Sequence, residues 1–261
     1  MDHRESFPRS LKRAFIEEIP APKSSVRLEG DSFIRLGLVL RLRRKEEVLL
    51  MDRVGRRALA LAQEVSRGRI NLEIEEVYEP GPEPDLKISL FQALLKGDSM
   101  AYAIKRLSEL GVQRLMVFKG DHSIRDLTFQ DIAQKKRHWD GVAIRSYLQC
   151  DRRAPLIVEG PYKSLLEATY EHLEPKSLRL LFHERAGPCS LRELLKGFKE
   201  ISPPRHVEIA VGPEGGFSEQ EVDTLVQRGF IPMRIGERIF MSESMGVVIA
   251  SILQYELGDL S

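Results

Sequence analysis

The stretch His206–Gly258 decides how the chain is interpreted, and it reads HVEIAVGPEGGFSEQEVDTLVQRGFIPMRIGERIFMSESMGVVIASILQYELG. Its first apolar run, Val207–Val211, stops at a Gly-Pro-Glu-Gly-Gly turn. An apolar run that does not alternate and ends at turn residues predicts a buried parallel strand. Ser218 and Glu221 then form a capping-box pattern, which predicts a helix that begins there and ends near Gly229.

A second strand and helix follow within the same stretch. The strand is predicted over Pro232–Ile235, and it leads into another glycine-containing loop at Gly236. Helical periodicity then returns, with one apolar face formed by Met245, Ile249, Ile252 and Leu253. Ligands of open α/β sheets bind outside the carboxyl ends of the strands, so two glycine loops there predict a binding site. A plain structural turn explains Gly-Pro-Glu-Gly-Gly equally well.

Composition narrows the class of protein. The chain has 261 residues, enough for one large or two modest domains, and its 40 basic and 39 acidic residues give no global attraction to nucleic acid. We expect no membrane span and no secretory signal, because no apolar run is long enough and the N-terminus is charged. The two distant cysteines, Cys150 and Cys189, and the scattered histidines predict reduced thiols, no metal site and a cytoplasmic protein.

Residues 1–78 predict a small β domain. A short helix is possible at its start, with one apolar face formed by Leu11, Phe15 and Ile19. The pattern then favours short strands, as in a small barrel or sandwich, at Val48–Met51, Ala58–Val65 and Arg69–Val77. Residues 79–85 contain three prolines and a glycine, so we predict a linker and a domain boundary there.

The β domain also carries the clearest local charge. Between Arg35 and Arg69, ten Lys or Arg residues stand against four acidic ones. A solvated basic face is one interpretation, and a surface for the phosphate backbone of RNA is the other. The candidate RNA-binding residues are Arg35, Arg41, Arg43, Arg44, Lys45, Arg56 and Arg57.

Residues 86–261 alternate between predicted strands and helices, which favours a mainly parallel sheet. The strands expected before His206 are Ile88–Leu95, Leu115–Phe118, Pro155–Val158 and Leu178–Phe182. The helices expected in the same region are Ser99–Leu110, 130–149, 162–173 and 190–199.

Three motifs carry a resemblance to a known family. GPEGGFSEQEV, IGERIFMSES and the segment ALLKGDSMAYAIKRLSELGVQRL are similar to the 16S ribosomal RNA uridine-N3 methyltransferases of the SPOUT class. The resemblance implies a C-terminal SPOUT domain over 86–261 with a trefoil knot, and an N-terminal PUA-like β-barrel that binds RNA. It further implies S-adenosylmethionine as cofactor, N3 of a uridine in small-subunit ribosomal RNA as target, and a homodimer.

The same resemblance assigns the site residues. It implies a catalytic group formed by Glu243, Arg238 and Arg152, and a third wall of the cofactor site from Leu181 to Ala186. The cofactor-binding residues that it implies are Leu181, Phe182, His183, Val211, Gly212, Pro213, Glu214, Gly215, Gly216, Ile235, Gly236, Ile239, Phe240 and Ser242. An ordinary helix N-cap is the alternative role of Ser242 with Glu243.

Departures from the family pattern leave other functions open. Met241 stands where the family has arginine, and 143–152 differs at most positions, so an RNA-binding relative that has lost catalysis is the second hypothesis. An unrelated nucleotide- or phosphate-binding α/β enzyme is the third, although no Walker or dinucleotide fingerprint is present.

Overall fold

The computed structural model describes residues 7–8, 10–80, 85–123, 129–183, 190–201 and 203–260. The chain divides into two compact units. The first is Met1–Glu83 with Tyr147–Pro155, and the second is Pro84–Ser146 with Leu156–Ser261. The segment Tyr147–Pro155 therefore groups with the N-terminal part of the chain, which a single boundary at 79–85 did not anticipate. Residues 81–84 of the predicted linker lie outside the described residues.

Among its described residues, the first unit contains a five-stranded sheet in the order β1-β3-β4-β5-β2. Its first two strands pair differently: β1 lies parallel to β3, and β2 lies antiparallel to β5. The remaining pairs, β3–β4 and β4–β5, are antiparallel. The strands are β1 Lys12–Phe15, β2 Ser25–Leu28, β3 Glu47–Met51, β4 Arg57–Ser66 and β5 Arg69–Tyr78.

The short N-terminal helix expected from the sequence is wrong. Lys12–Phe15 is extended and pairs with β3, and this places Ala14 in the core of the unit. Ile19 is also buried there, so the apolar spacing reflects a strand and the loop after it. A helical turn was missed instead: α1, Gly30–Phe33, continues into a π-helical segment, Ile34–Val39.

The second unit is built on a six-stranded sheet in the order β11-β9-β10-β6-β7-β8 within the described residues. Every pair of neighbouring strands is parallel, which confirms the mainly parallel α/β fold. The strands are β6 Lys87–Ala93, β7 Arg114–Phe118, β8 Ile157–Tyr162, β9 Leu178–Phe182, β10 His206–Val211 and β11 Ile231–Met233. The helices are α2 Ser99–Glu109, α3 Phe129–Cys150, α4 Leu165–His172, α5 Leu191–Ile201, α6 Glu219–Gln227 and α7 Ser242–Leu257.

Apolar packing on both faces explains why the central strands do not alternate. Ile209 of β10 belongs to one core cluster and its neighbour Ala210 to another, and both side chains are fully buried. On the first face, Ile249 and Leu253 of α7 are fully buried, and each such side chain contributes about 1.5–3 kcal/mol to folding. Most of the apolar stripe of α7 is therefore intramolecular core.

Candidate active site

Two glycine loops line one cleft at the carboxyl ends of β9, β10 and β11. The cleft has a volume of about 540 Å³. The residues predicted from the sequence that line it are Phe182, His183, Val211, Gly212, Pro213, Glu214, Gly216, Ile235, Arg238, Ile239, Phe240 and Ser242. Leu181, Gly215, Gly236, Glu243 and Arg152 do not line it, and residues 184–186 of the predicted third wall lie outside the described residues. Sequence reasoning missed Phe217, Met233, Arg234, Glu237, Met241 and Met245, although all of them are in or beside the quoted motifs.

The first loop, residues 212–218, requires glycine at its first position. A Cβ atom on Gly212 would lie 3.0 Å from the ring of Phe217 and 3.2 Å from its backbone nitrogen. The ring cannot easily move away, because it is stacked on Phe118 with the centroids 6.3 Å apart. Gly216 has φ +75°, a conformation that side chains other than glycine rarely adopt. Backbone atoms of this loop therefore form part of the cleft wall.

Hydrogen bonds at the start of α6 fix the same loop. The side chain of Ser218 accepts from the backbone N–H of Glu221, and the Glu221 carboxylate accepts from the backbone N–H of Ser218 at 2.9 Å, which confirms the predicted capping box. Glu221 also accepts from the backbone N–H of Asp121, which lies after β7, at 3.2 Å. Burial raises the pKa of the Glu221 carboxyl above its ordinary value of 4.5.

The start of α7 is tied to the first loop by Ser242. Its hydroxyl donates to the carbonyl of Gly212 and accepts from Nε2 of Gln92 at 3.0 Å, and both polar side chains are buried. The N-cap lies one residue earlier than expected: Met241 occupies that position, without a side-chain hydrogen bond, and Ser242 is the first residue of the helix. Glu243, in the first turn, accepts from the hydroxyl of Ser99 at the start of α2, at 3.3 Å.

The outer rim of the cleft is unusually apolar for an exposed surface. Ile239 is 83% exposed and Met241 is 69% exposed. Arg238, between Glu237 and Ile239 in the sequence, also lines the cleft and is exposed. Within the described part of the chain it forms no ion pair. Its guanidinium group is therefore available to a ligand in the cleft.

Comparisons with known proteins agree with this arrangement. Residues 82–254 match the RNA methyltransferase domain family. The chain belongs to that family. It is similar to the protein of Buchnera aphidicola named ribosomal RNA small subunit methyltransferase E, with 27% identity over 85% of this chain and 87% of that protein. It is similar to the protein of the same name from Bacillus subtilis at 21% identity over 94% of each.

Solved structures give the same picture for this RNA methyltransferase domain. A putative methyltransferase from Legionella pneumophila in complex with bound SAM has a TM-score of 0.86 and 26% identity, covering 96% of this chain and 99% of that one. Ribosomal RNA small subunit methyltransferase E from Neisseria gonorrhoeae, bound to S-adenosyl methionine, has a TM-score of 0.82 and 25% identity, covering 96% and 100%. The expected family is confirmed, and the hypothesis of an unrelated phosphate-binding enzyme is wrong.

The basic residues of the first unit divide into two groups. Arg41, Arg43, Arg44 and Lys45 are exposed in the turn between the π-helical segment and β3. Arg56 instead pairs with the buried Asp52 at 2.8 Å, and Arg57 pairs with Asp151 at 3.3 Å. Arg35 is half-buried and makes a contact within the protein. The exposed turn is therefore the part of the predicted RNA surface whose charges face solvent.

The segment in which this methyltransferase departs from the family pattern belongs to the first unit from Tyr147 onward. The Tyr147 side chain is fully buried, and its hydroxyl donates to the carbonyl of Asp52 at 3.1 Å. Burial raises the pKa of that hydroxyl above its ordinary value. The backbone carbonyl of Arg152 accepts a hydrogen bond from the guanidinium group of Arg57 at 3.0 Å. Packing and hydrogen bonding within the first unit thus account for the observed contacts of this segment.

In the described part of the chain, no group of three or more His, Cys, Asp or Glu side chains is arranged to hold a metal ion. No helix among the described residues is long and apolar enough to span a membrane.

Proposed function

We propose that this RNA methyltransferase transfers the methyl group of S-adenosylmethionine to N3 of a uridine in small-subunit ribosomal RNA. The observation that carries the proposal is the cleft whose walls are the two glycine loops, joined by the hydroxyl of Ser242. The names of the curated relatives support the substrate, and the two solved neighbours with bound S-adenosylmethionine support the cofactor.

The residues of the cleft fit an adenosyl group. Its volume of about 540 Å³ is within the usual range for small-molecule sites. Phe182, Val211 and Met233 provide apolar surface for the faces of a purine, while backbone groups of the loops can hydrogen-bond to its edge. Gly236 has φ +59°, and a Cβ atom there would meet nothing within 4 Å, so this loop leaves open space beside the cleft.

The chain contributes orientation and charge to the reaction. Bound S-adenosylmethionine supplies an electrophilic methyl group, and the protein must place N3 of uracil in line with it. Arg238, on the rim, would stabilise the negative charge that uracil gains as N3 loses its proton. Glu243 acts by holding the starts of α2 and α7 together through Ser99. The catalytic role expected of Arg152 remains a prediction.

Exposed positive charge in the first unit supports a role in RNA binding. We propose that the RNA phosphate backbone binds to the turn that contains Arg41, Arg43, Arg44 and Lys45, because these side chains face solvent. Arg35, Arg56 and Arg57 make contacts within the unit, so their proposed role in RNA binding has less support.

Three further features of the family are proposed for this chain. The segment between β11 and α7 would thread through an earlier connection to form the trefoil knot, since it leads from the sheet edge to the Gly212 loop. An experimental chain trace that runs outside every connection would contradict this.

The first unit would close as a PUA-like barrel, which slow amide exchange in β1 and β2 would support. The chain would act as a homodimer, and a monomeric mass by light scattering would exclude it.

The deciding experiment uses small ribosomal subunits that lack the modification. They are incubated with the protein and S-adenosylmethionine, the RNA is digested, and 3-methyluridine is measured by mass spectrometry. Its formation at one position is the expected result. No methylated uridine, together with retained binding of RNA, would instead support the relative that has lost catalysis.

A further inference from the structure

A second cleft shares one wall with the first. It has a volume of about 560 Å³ and is formed by the loop after β6, Ser123 and the first half of α3. Glu214 lines both clefts, and it is the only one of the described residues that does. The two clefts therefore meet at Glu214.

The lining of the second cleft combines three kinds of surface. Leu94 and the nearly buried indole of Trp139 are apolar. Lys96 and Lys135 supply positive charge, and within the described residues neither has an ion pair. Asp98 and Asp131 supply carboxylates that can accept hydrogen bonds.

Such a mixture suits a nucleotide better than a simple anion. A pyrimidine ring can lie on the apolar surface, its ribose hydroxyls can donate to the carboxylates, and its phosphate can accept from the lysines. A groove for phosphate alone would have little use for two aspartates, which repel anions. The position of the cleft beside the proposed cofactor site fits the nucleotide that receives the methyl group.

We propose that the second cleft binds the target uridine nucleotide, extruded from the RNA, and that Glu214 accepts its N3 proton. The inference rests on the proposed function. In the reaction, the N3–H bond breaks and its proton goes to a carboxylate oxygen of Glu214. The electron pair left on N3 forms the bond to the methyl carbon, while the methyl–sulfur bond breaks and its electrons go to sulfur. An acceptor on the shared wall can reach N3 without displacing either ligand.

Trp139 makes binding directly measurable, because it is the only tryptophan in the chain and it lines the cleft. The intact protein is titrated with uridine monophosphate while the indole fluorescence is recorded, with S-adenosylhomocysteine present. We expect a saturable change in fluorescence. Lys135→Glu should weaken the affinity for uridine monophosphate about tenfold or more. Lys136→Glu is the matched control, because that lysine is paired with Asp140 at 2.6 Å and does not line the cleft.

Two results of this titration would overturn the assignment of the cleft. One is a titration without specific binding, seen either as no saturable change in fluorescence or as an equal loss of affinity in both lysine variants. The other is an equal change with inorganic phosphate alone, which would make the cleft a simple anion site. The proposed function would survive either result if the wild-type protein still forms 3-methyluridine.

Kinetics test the role of Glu214. Glu214→Gln keeps the size and polarity of the side chain but removes its capacity to accept the proton. We expect kcat to fall about 10²–10⁴-fold, a far larger effect than any change in the affinity for uridine monophosphate. An unchanged kcat would refute the proton-acceptor role. If the wild-type protein transferred no methyl group, the proposed function would fail, and the fluorescence titration would still decide whether the cleft binds the nucleotide.

Discussion

Gly212 shows how one missing side chain can shape a binding cleft. Its carbonyl accepts the hydroxyl of Ser242, and the space where its Cβ would lie is filled by the ring of Phe217. We expect Gly212→Val to displace the ring and the loop, and to weaken binding of S-adenosylhomocysteine at least about tenfold in calorimetry. Gly197→Ala, on α5, is the control, because a Cβ atom there meets nothing within 4 Å and alanine favours a helix.

Glu221 gives a prediction about pH. Burial raises the pKa of its carboxyl and outweighs the opposing hydrogen bonds from the backbone N–H groups of Ser218 and Asp121, so the folded state binds this proton more tightly than the unfolded state. Its contribution to stability is therefore largest below pH 4.5 and is lost as the pH rises through the folded-state pKa. Relative to Glu221→Gln, which does not titrate, the melting temperature of the wild type should rise as the pH falls from neutral.

A second variant separates the charge of Glu221 from its hydrogen bonds. Glu221→Ala removes the capping box, which Glu221→Gln can keep, and should be about 1 kcal/mol less stable than Glu221→Gln at every pH. A difference in melting temperature between the wild type and Glu221→Gln that stays constant with pH would contradict the raised pKa of Glu221.

Residue identities in the cofactor cleft were predictable where a motif contained them. Gly212, Gly216 and Ser242 line the cleft as expected. The orientation of Glu243 towards Ser99 was not predictable, because it depends on how α2 packs beside α7 in the folded chain. Likewise, no pattern in the sequence distinguishes the paired Arg57 from the exposed Arg44.

At the scale of elements, one buried ion pair joins two central strands. Glu208 of β10 is fully buried and lies opposite Arg179 of β9, which donates to it at 2.8 Å. Ser177 and the backbone N–H of Glu174 also donate to this carboxylate, so its charge is well compensated. Removing only the arginine would leave a buried charge without its partner.

We expect Arg179→Met to lower the free energy of unfolding by about 3–5 kcal/mol, measured by chemical denaturation. Combining it with Glu208→Met should recover much of that loss, because the unpaired charge is gone. Arg192→Met, at an exposed position on α5, should change stability by less than about 0.5 kcal/mol. A double variant no more stable than Arg179→Met would argue against this explanation.

Most elements followed from the sequence, including short strands such as β9, whereas several short elements of the first unit did not. The strands β4 and β5 and the helices α2 and α7 agree with expectation to within a few residues, because burial imposes a clear period on them. The strand at Lys12–Phe15 was mistaken for helix, since its partner β3 is distant in sequence. The π-helical segment Ile34–Val39 was missed because it contains Gly37 and carries exposed apolar residues such as Leu38 and Val39.

At the scale of the whole molecule, the near-zero net charge hides an exposed basic turn. We expect the triple change Arg43→Gln, Arg44→Gln and Lys45→Gln to weaken RNA binding and to reduce its dependence on salt. The slope of log affinity against log salt should fall by about 0.7 for each lost phosphate contact to single-stranded RNA. Filter binding across a salt series measures it.

An equal change of charge elsewhere provides the control for the basic turn. Lys176, Arg192 and Lys196 are exposed in the second unit, and replacing all three by Gln removes the same charge from a different surface. The proposed RNA surface requires a smaller effect from this control. Equal salt slopes for the two triple variants would show that only total charge matters.

The grouping of Tyr147–Pro155 with the first unit has a consequence for the evolution of the chain and for the design of chimaeric proteins. A chimaera of two relatives made with one crossover near 79–85 would take its N-terminal residues from one parent and residues 147–155 from the other. Arg57 would then meet a foreign residue in place of Asp151, and Tyr147 would be buried against an unfamiliar core. Residues 147–155 and the N-terminal unit are therefore expected to be inherited together, and a functional chimaera needs two exchanged segments.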